Sequence, residues 1–232
     1  PYDRETDLTY WEEDPEAAVK ALNNCYTYLG NMDEQLYSEA MTDNAYTKQP
    51  NDFTQNIGNG SYSTADSYVK QVWDGRYTGI RMCNQLLENI DRVPDLDPEL
   101  KKRYIGEAKV LRAYNYYELY TKFGDVPYTT KVLSIKESMS IARTDRATVI
   151  ANMLADLDEV INGNYLPASY DADNKGRITR WAAMAIKAKI YLFEGNWTQV
   201  KNITSTIMTE GGFRLFGSYA GLFEIANEYN SE

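Results

Sequence analysis

The sequence contains no histidine, and this absence narrows the possible functions more than any other feature of its composition. Histidine is the commonest general base, the usual activator of a nucleophile and the commonest metal ligand. Most familiar hydrolase sites are therefore excluded from these 232 residues. Long apolar runs are also missing, because the longest helix-like stretch, residues 181–193, is interrupted by Lys187 and Lys189 and falls short of the ~20 residues that span a bilayer.

Cysteine and positive charge are both scarce. The two cysteines, Cys25 and Cys83, lie among apolar neighbours at helical spacing, and they are too few for a disulfide framework or a metal site. We expect them to be small buried hydrophobic residues.

The chain is acidic: it has 24 lysines and arginines against 34 aspartates and glutamates. The resulting net charge of −10 repels phosphate backbones and anionic lipid headgroups. Neither nucleic acid nor direct headgroup binding is expected.

Tyrosine, by contrast, is abundant, with 20 copies in a chain that is 43% hydrophobic and 25% charged. These proportions are typical of a globular protein. A tyrosine ring offers a flat apolar face and a hydrogen-bonding tip at low entropic cost, which suits recognition surfaces as well as cores.

Helix signals recur along the first half of the chain. Asp14-Pro15 predicts a helix start, and Gly30 predicts its end. A second helix is predicted over residues 67–90. A third is predicted from Asp97-Pro98, with apolar positions at Leu100, Tyr104, Ala108, Leu111 and Tyr114, to the residue before Gly124. We expect the second and third helices to form an antiparallel hairpin.

The second half repeats this scheme. Apolar faces are predicted over 150–161, which ends at Gly163, over 181–192, and over 197–207, which leads to Gly211-Gly212. Alternating hairpins of this size resemble tetratricopeptide-like repeats. The predicted fold class is all-α, with tetratricopeptide-like helical hairpins forming an α-solenoid and with long connecting loops.

Residues 42–64, the polar loop, differ from the rest of the chain. They are rich in Asn, Asp, Gln, Gly and Ser, show no helical periodicity, and carry Tyr46, Phe53 and Tyr62. Loops of more than about 15 residues in compact domains are often functional or disordered, and the aromatic residues favour order.

Other candidate motifs favour ordinary structure. Asp171, Asp173 and Gly176 resemble a calcium loop, but Lys175 and Ala182 replace required ligands, so a polar turn is expected. No cofactor or metal is predicted. Nothing indicates that the Asp33-Glu34 pair has the arrangement that glycoside hydrolysis needs. We expect the tryptophans at 73, 181 and 197 to pack in cores.

Several segments, in order along nearly the whole chain, resemble the SusD/RagB family of outer-membrane nutrient-binding lipoproteins. The most specific is Glu107-Ala108-Lys109-Val110-Leu111-Arg112-Ala113-Tyr114, followed by Tyr116-Tyr117 and by Phe123-Gly124-Asp125-Val126-Pro127-Tyr128. Others are 11–18, Ser38-Glu39-Ala40-Met41-Thr42-Asp43-Asn44-Ala45-Tyr46, Trp73-Asp74-Gly75-Arg76-Tyr77, Gly176-Arg177-Ile178-Thr179, Gly195-Asn196-Trp197 and 227–232.

The resemblance implies a mainly α-helical, non-enzymatic protein at the surface of the outer membrane. It implies a lipid anchor that lies outside this chain, a SusC-like TonB-dependent transporter as partner, and capture of oligosaccharide or, in some members, of peptide. Family members run to about twice this length or more. We therefore expect residues 1–232 to be a SusD-like N-terminal helical-repeat domain without its C-terminal portion. Because the chain opens at Pro1, we also expect that processing or cloning removed an earlier segment.

The polar loop is the predicted glycan site. A pyranose stacks on an aromatic ring while its hydroxyls bond to amides and carboxylates. The stacking candidates are Tyr46, Phe53 and Tyr62, and the polar candidates are Asp43, Asn44, Asp52 and Asn59. The alternative for each ring is that it anchors the loop to the helices. The alternative function is a helical-repeat interaction scaffold or peptide-capture protein, and a carboxylate glycosidase is a distant third.

Overall fold

The computed structural model describes residues 6–7, 9–30, 32–49, 52–228 and 230. The prediction of an all-α fold is confirmed, since helices dominate the described part and its strand-like pairing is one isolated bridge between Val126 and Thr144. The α-helices are α1 (Ala17–Tyr26), α2 (Met32–Glu39), α3 (Phe53–Gly58), α4 (Ser67–Asn89), α5 (Pro98–Phe123), α6 (Ile135–Ser140), α7 (Arg146–Asn162), α8 (Arg180–Phe193) and α9 (Trp197–Glu210). The chain divides into two compact units, 1–153 and 154–232, with the division inside α7.

Helices α4 and α5 form the predicted antiparallel hairpin in the first unit. Asn84 of α4 contacts Arg112 of α5, whereas Gly79, earlier on α4, faces Asn115, later on α5. A Cβ atom at Gly79 would lie 2.8 Å from the Cβ atom of Tyr28 and 2.9 Å from the Asn115 amide. Glycine therefore permits the close approach of α4 to α5 at this point.

Helix α5 is buried on more sides than one apolar face predicts. Tyr104, Ala108 and Leu111 are buried as expected, while Leu100 is exposed. Val110 is buried on the opposite side of the helix, and the polar residues Glu107 and Asn115 are buried as well. Because α1 and α4 both pack against α5, these side chains bond to protein atoms: the Tyr26 hydroxyl donates to the Glu107 carboxylate, and the Asn115 amide donates to the Leu111 carbonyl at 2.9 Å.

Helix α5 begins and ends where Asp97-Pro98 and Gly124 predict. The Asp97 carboxylate accepts hydrogen bonds from the backbone N–H groups of Glu99 and Leu100, both at 2.9 Å, and Gly124 ends the helix at a φ of +70°. Helix α1 differs slightly, since it begins at Ala17 and ends at Tyr26, inside the predicted limits. Asp14 instead caps the preceding turn, where its Oδ1 accepts from the Glu16 N–H at 2.8 Å.

Three short helices were not predicted. Helix α3 lies inside the polar loop, so the prediction of a loop without helix was wrong for Phe53–Gly58. Helix α2 is also short, and α6 carries a capping box in which Ser134 and Glu137 bond to each other's backbone N–H groups. Helices of six to eight residues show too few turns for apolar periodicity to appear.

The second unit contains a hairpin of α8 and α9. Its core consists of Trp181, Met184, Ala188 and Ile203. Trp181 is 6% exposed, as expected for a core tryptophan, but Trp197 is 67% exposed, so the prediction that it packs in a core was wrong. Trp197 is the first residue of α9, and its position at the helix end leaves the ring at the surface.

The cysteine prediction is confirmed. Cys25 and Cys83 are fully buried free thiols, on α1 and α4 respectively.

Candidate functional site

The polar loop is organised around α3. Asp52 precedes the helix in extended conformation, and its Oδ1 accepts hydrogen bonds from the Thr54 N–H at 2.9 Å and from the Thr54 hydroxyl at 2.6 Å. These two hydrogen bonds, first the one from the hydroxyl, lower the pKa of the Asp52 carboxyl below its ordinary value. Asp52 therefore serves as the N-cap of α3.

Polar contacts also join the earlier part of the loop to α3. The hydroxyls of Thr47 and Thr54 lie 2.7 Å apart, and Thr54 is fully buried. The Gln55 side-chain amide donates to the carbonyls of Thr47 at 2.6 Å and of Gln49 at 2.9 Å. The loop is thus held by its own hydrogen bonds even though its composition is polar.

Phe53 belongs to an aromatic cluster formed by Tyr37, Phe53 and Tyr68. Its ring is stacked on that of Tyr68 with centroids 4.6 Å apart, and the Tyr37 centroid lies 5.1 Å away. The three rings come from α2, α3 and α4. Phe53 therefore anchors the loop to two other helices, and contact of its ring with a glycan stays a prediction.

Unlike Phe53, Tyr46 and Tyr62 have exposed side chains, with relative exposures of 77% and 50%. Tyr46 precedes Thr47, whose hydroxyl contacts α3. Tyr62 follows Ser61, whose N–H donates to Asn59 Oδ1 at 2.9 Å just after α3 ends. The two exposed rings therefore flank the same short helix along the chain.

Three of the four polar candidates are also exposed, namely Asp43, Asn44 and Asn59. The Asn44 side-chain amide donates to Glu39 Oε1 at 2.9 Å, which ties the start of the loop to the end of α2. The structure thus places Tyr46, Tyr62 and these polar groups at the surface, while Asp52 and Phe53 hold the loop in place.

A cleft of about 430 Å³ adjoins the aromatic cluster, and the sequence did not predict it. Arg76 of α4 is buried at its base, where Nη1 donates to the Tyr28 carbonyl at 2.8 Å and Nη2 forms an ion pair with Glu34. Burial raises the pKa of the Tyr68 phenol in the same wall, and the Glu34 carboxylate adds to this shift. No spacing in the sequence pairs Glu34 with a residue 42 positions later, and the Asp33 side chain lies outside the described residues.

A larger groove of about 550 Å³ lies between α4, α6 and the segment that links α5 to α6. Several of its polar side chains donate hydrogen bonds to backbone carbonyls. The Tyr77 hydroxyl donates to Pro127 O at 2.8 Å, and Arg81 Nη1 donates to Leu133 O at 3.1 Å. Trp73 is half-buried at one end, with its ring 5.1 Å from that of Phe123. These contacts hold the linking segment against α4, so Tyr77 and Arg81 stabilise the fold at this groove.

The structure also bears on the remaining motifs. Asp171 Oδ1 accepts hydrogen bonds from the Asn174 N–H and from its side-chain amide, both at 2.9 Å, as in a local polar turn. Within the described ranges, His, Cys, Asp and Glu form no cluster of three or more that could hold a metal ion. In the same ranges, no helix combines the length and the apolar character needed to cross a bilayer.

Comparison with known proteins identifies the family. A family model for SusD-like proteins, described as starch-binding and associating with the outer membrane, matches residues 15–192. The chain belongs to the SusD-like family. The SusD-like protein P25 of Formosa agariphila is 28% identical over an alignment that covers 96% of this chain and 47% of that protein. The family resemblance seen in the sequence is thereby confirmed.

Solved structures of SusD-like proteins have a similar fold. A SusD-like protein from Bacteroides fragilis superposes with a TM-score of 0.85 and 26% identity, covering 98% of this chain and 45% of that one. A structure described as a laminarin binding SusD-like protein superposes with a TM-score of 0.83 and 26% identity, covering 95% of this chain and 50% of that one. The chain therefore spans about half the length of the relatives it matches.

Proposed function

We propose that the chain takes part in the non-catalytic capture of uncharged oligosaccharides and polysaccharides through the polar loop. The observation that carries this proposal is the exposure of Tyr46 and Tyr62 on a loop that is fixed around α3. An exposed ring on a loop that is already held by hydrogen bonds can stack on a sugar with less loss of backbone entropy than a ring on an unheld loop.

The chemistry of the neighbouring side chains fits this role. Asp43, Asn44 and Asn59 are exposed and carry carboxylate or amide groups that hydrogen-bond to sugar hydroxyls. The net charge of −10 disfavours anionic polysaccharides and favours uncharged ones. The laminarin binding relative supports the same ligand class.

The absence of catalysis in this proposal is supported by the pKa of one loop acid, Asp52. Glycoside hydrolysis needs one carboxyl whose pKa is raised, so that it can act as a general acid. The pKa of Asp52 is instead lowered by the hydrogen bonds from Thr54, and no histidine can replace a carboxylic acid in that role. The loop therefore suits binding better than hydrolysis.

The location and the partner belong to the same proposal. The family description supports association with the outer membrane. We propose that a lipid anchor outside this chain holds the protein at the cell surface and that the glycan passes to a SusC-like TonB-dependent transporter. Residues 1–232 supply the helical-repeat domain, a proposal supported by an alignment that covers 96% of this chain and 47% of its relative.

Isothermal titration with laminarin and other uncharged glycans tests this function. We expect saturable binding without sugar release, and a loss of at least about tenfold in affinity when Tyr46 and Tyr62 are both changed to Ala, since two stacking contacts are removed. Tyr219→Ala is the matched control, because Tyr219 is 81% exposed and lies far along the chain from the polar loop.

The outcomes separate the alternatives. Equal affinities for the double variant and the wild type would move the glycan site away from the polar loop. Binding of peptides with no binding of any glycan would favour the peptide-capture scaffold, and release of shorter sugars would show an enzyme.

A further inference from the structure

The two cysteines of the chain meet at the packed face between α1 and α4. Cys25 lies in the last turn of α1, Cys83 lies in the second half of α4, and both are fully buried. The residues that precede them are also in contact, since the Asn24 side-chain amide donates to the Met82 sulfur at 3.1 Å. Further along the chain, the Cβ atom of Tyr28 lies 2.8 Å from where a Cβ atom at Gly79 would be. The chain therefore runs antiparallel to α4 here, and residues 24–25 lie beside 82–83.

The thiols themselves are neighbours. A hydrogen bond with the Cys25 thiol, followed by burial, raises the pKa of the Cys83 thiol above its usual range. An interaction of this kind acts over a short distance, and the antiparallel contacts of this segment with α4 bring the two side chains to the same level. The helices that carry them pack against each other and against α5, so the two sulfurs are held at this position by the core.

We propose that Cys25 and Cys83 form a disulfide bond that joins α1 to α4. In the reaction, a Cys83 or Cys25 thiolate attacks a disulfide of a small molecule or of a thiol oxidoreductase, and one thiol leaves. The second cysteine then attacks the mixed disulfide and releases the second thiol. The two S–H bonds of the protein are lost, one S–S bond forms, and the oxidant takes up two electrons and two protons as two thiols.

The timing of this step follows from burial. A fully buried thiol with a raised pKa supplies little thiolate and is shielded from oxidants, so the native reduced protein reacts slowly. Oxidation is fast while the chain is still folding and the face between α1 and α4 is open. Members of an outer-membrane family leave the reducing cytoplasm as they are exported, and disulfides persist in such compartments.

The disulfide would enclose the candidate site within the chain segment that it closes. The bond closes the chain from residue 25 to residue 83, and this closed segment contains α2, the whole polar loop and the first part of α4. Closing a segment of this length restricts the unfolded chain and favours the folded state. The disulfide would thus stabilise the part of the fold that carries Tyr46 and Tyr62.

The test begins with the full chain, reduced and unfolded, which is then refolded in a mixture of reduced and oxidised glutathione. We expect the two thiols that react with Ellman's reagent in guanidinium to fall to none, and the intact mass to be lower by two hydrogen atoms. Trypsin should release residues 21–48 and 82–92 as one cross-linked species that separates on reduction, because Lys20, Lys48, Arg81 and Arg92 bound these peptides.

Matched variants complete the experiment. Cys25→Ala and Cys83→Ala should each retain one thiol, reactive or capped by glutathione, and should give no cross-linked peptide. Two reactive thiols in the refolded wild-type chain would overturn the proposal. Two separate glutathione adducts on Cys25 and Cys83 would overturn it as well, since they show oxidation without a bond between the cysteines.

Discussion

Arg112 donates a hydrogen bond of 2.9 Å from Nη1 to Oδ1 of Asn84, and both side chains are buried between α4 and α5. The Asn84 amide in turn donates to the carbonyls of Thr129 at 3.2 Å and Lys131 at 3.1 Å. One buried asparagine therefore connects α4, α5 and the segment that follows α5. Each of its three polar contacts replaces water that burial has removed.

Replacing Asn84 with Ala should destabilise the first unit by roughly 2–4 kcal/mol, because Arg112 loses an acceptor inside the protein and two carbonyls lose their donor. Chemical denaturation followed by far-UV circular dichroism measures this change. Asn202→Ala, at an exposed position in the middle of α9, is the control for the same substitution. Its free energy of unfolding should differ from that of the wild type by less than about 0.5 kcal/mol. Equal losses in the two variants would contradict the role of Asn84.

The hairpin that contains this contact could be predicted from the sequence because its signals are strong and local. Asp97-Pro98 starts α5 and Gly124 ends it, as a capping carboxylate, a proline in the first turn and a left-handed glycine require. The contact between Asn84 and Arg112 could not be predicted, because it depends on how α4 and α5 pack and on residues 28 positions apart.

Trp181 and Trp197 provide a second prediction because they differ in burial. Trp181→Ala should cost about 3–5 kcal/mol, since it removes a large ring from the core formed with Met184, Ala188 and Ile203. Trp197→Ala should change stability by less than about 1 kcal/mol, since its ring is mostly exposed. Thermal unfolding of the two variants measures the difference, and a larger loss from Trp197→Ala would contradict the structure.

The same pair shows where sequence reasoning fails. Both tryptophans lie at helical spacing beside apolar residues, so the pattern favours a core position for each. Tertiary packing, including that of α8 against α9, decides which ring is covered. The candidate site shows the same limit, because the sequence indicated the polar loop but not α3 within it, nor the ion pair between Arg76 and Glu34 at the base of the cleft.

Asp52 makes the order of the polar loop depend on pH. Its pKa in the folded chain is lowered from the ordinary value of 3.8, chiefly by the hydrogen bond from the Thr54 hydroxyl. The carboxylate therefore contributes its full stabilisation above pH 3.8, and this contribution is lost as the pH falls through the lower, folded-state pKa. The amide resonance of Thr54 in NMR spectra should titrate with a midpoint below 3.8.

Asp52→Asn is the matched variant for this titration. Asparagine caps a helix about as well as aspartate but carries no titrating group. The variant should keep α3 folded at neutral pH and lose the acid titration of the Thr54 amide. A titration that persists in Asp52→Asn would show that another acid controls the loop.

Phe53 tests whether an aromatic residue of the polar loop positions the site or touches the glycan. Phe53→Ala removes the stacking on Tyr68 and Tyr37, so α3 should open more often. We expect the hydrogen-exchange rates of its amides to rise about tenfold, the equivalent of ~1.4 kcal/mol of local stability. Phe223→Ala, at an exposed ring outside the polar loop, should leave these rates unchanged.

Glycan affinity measured on the same variants then separates the two roles. If Phe53 only anchors α3, Phe53→Leu, which keeps an apolar side chain between Tyr37 and Tyr68, should recover most of both the exchange protection and the glycan affinity. If the ring stacks on sugar, Phe53→Leu should recover the protection but not the affinity, because a leucine side chain has no flat face for a pyranose. The contacts of the half-buried Phe53 ring with rings from α2 and α4 lead us to expect the first result.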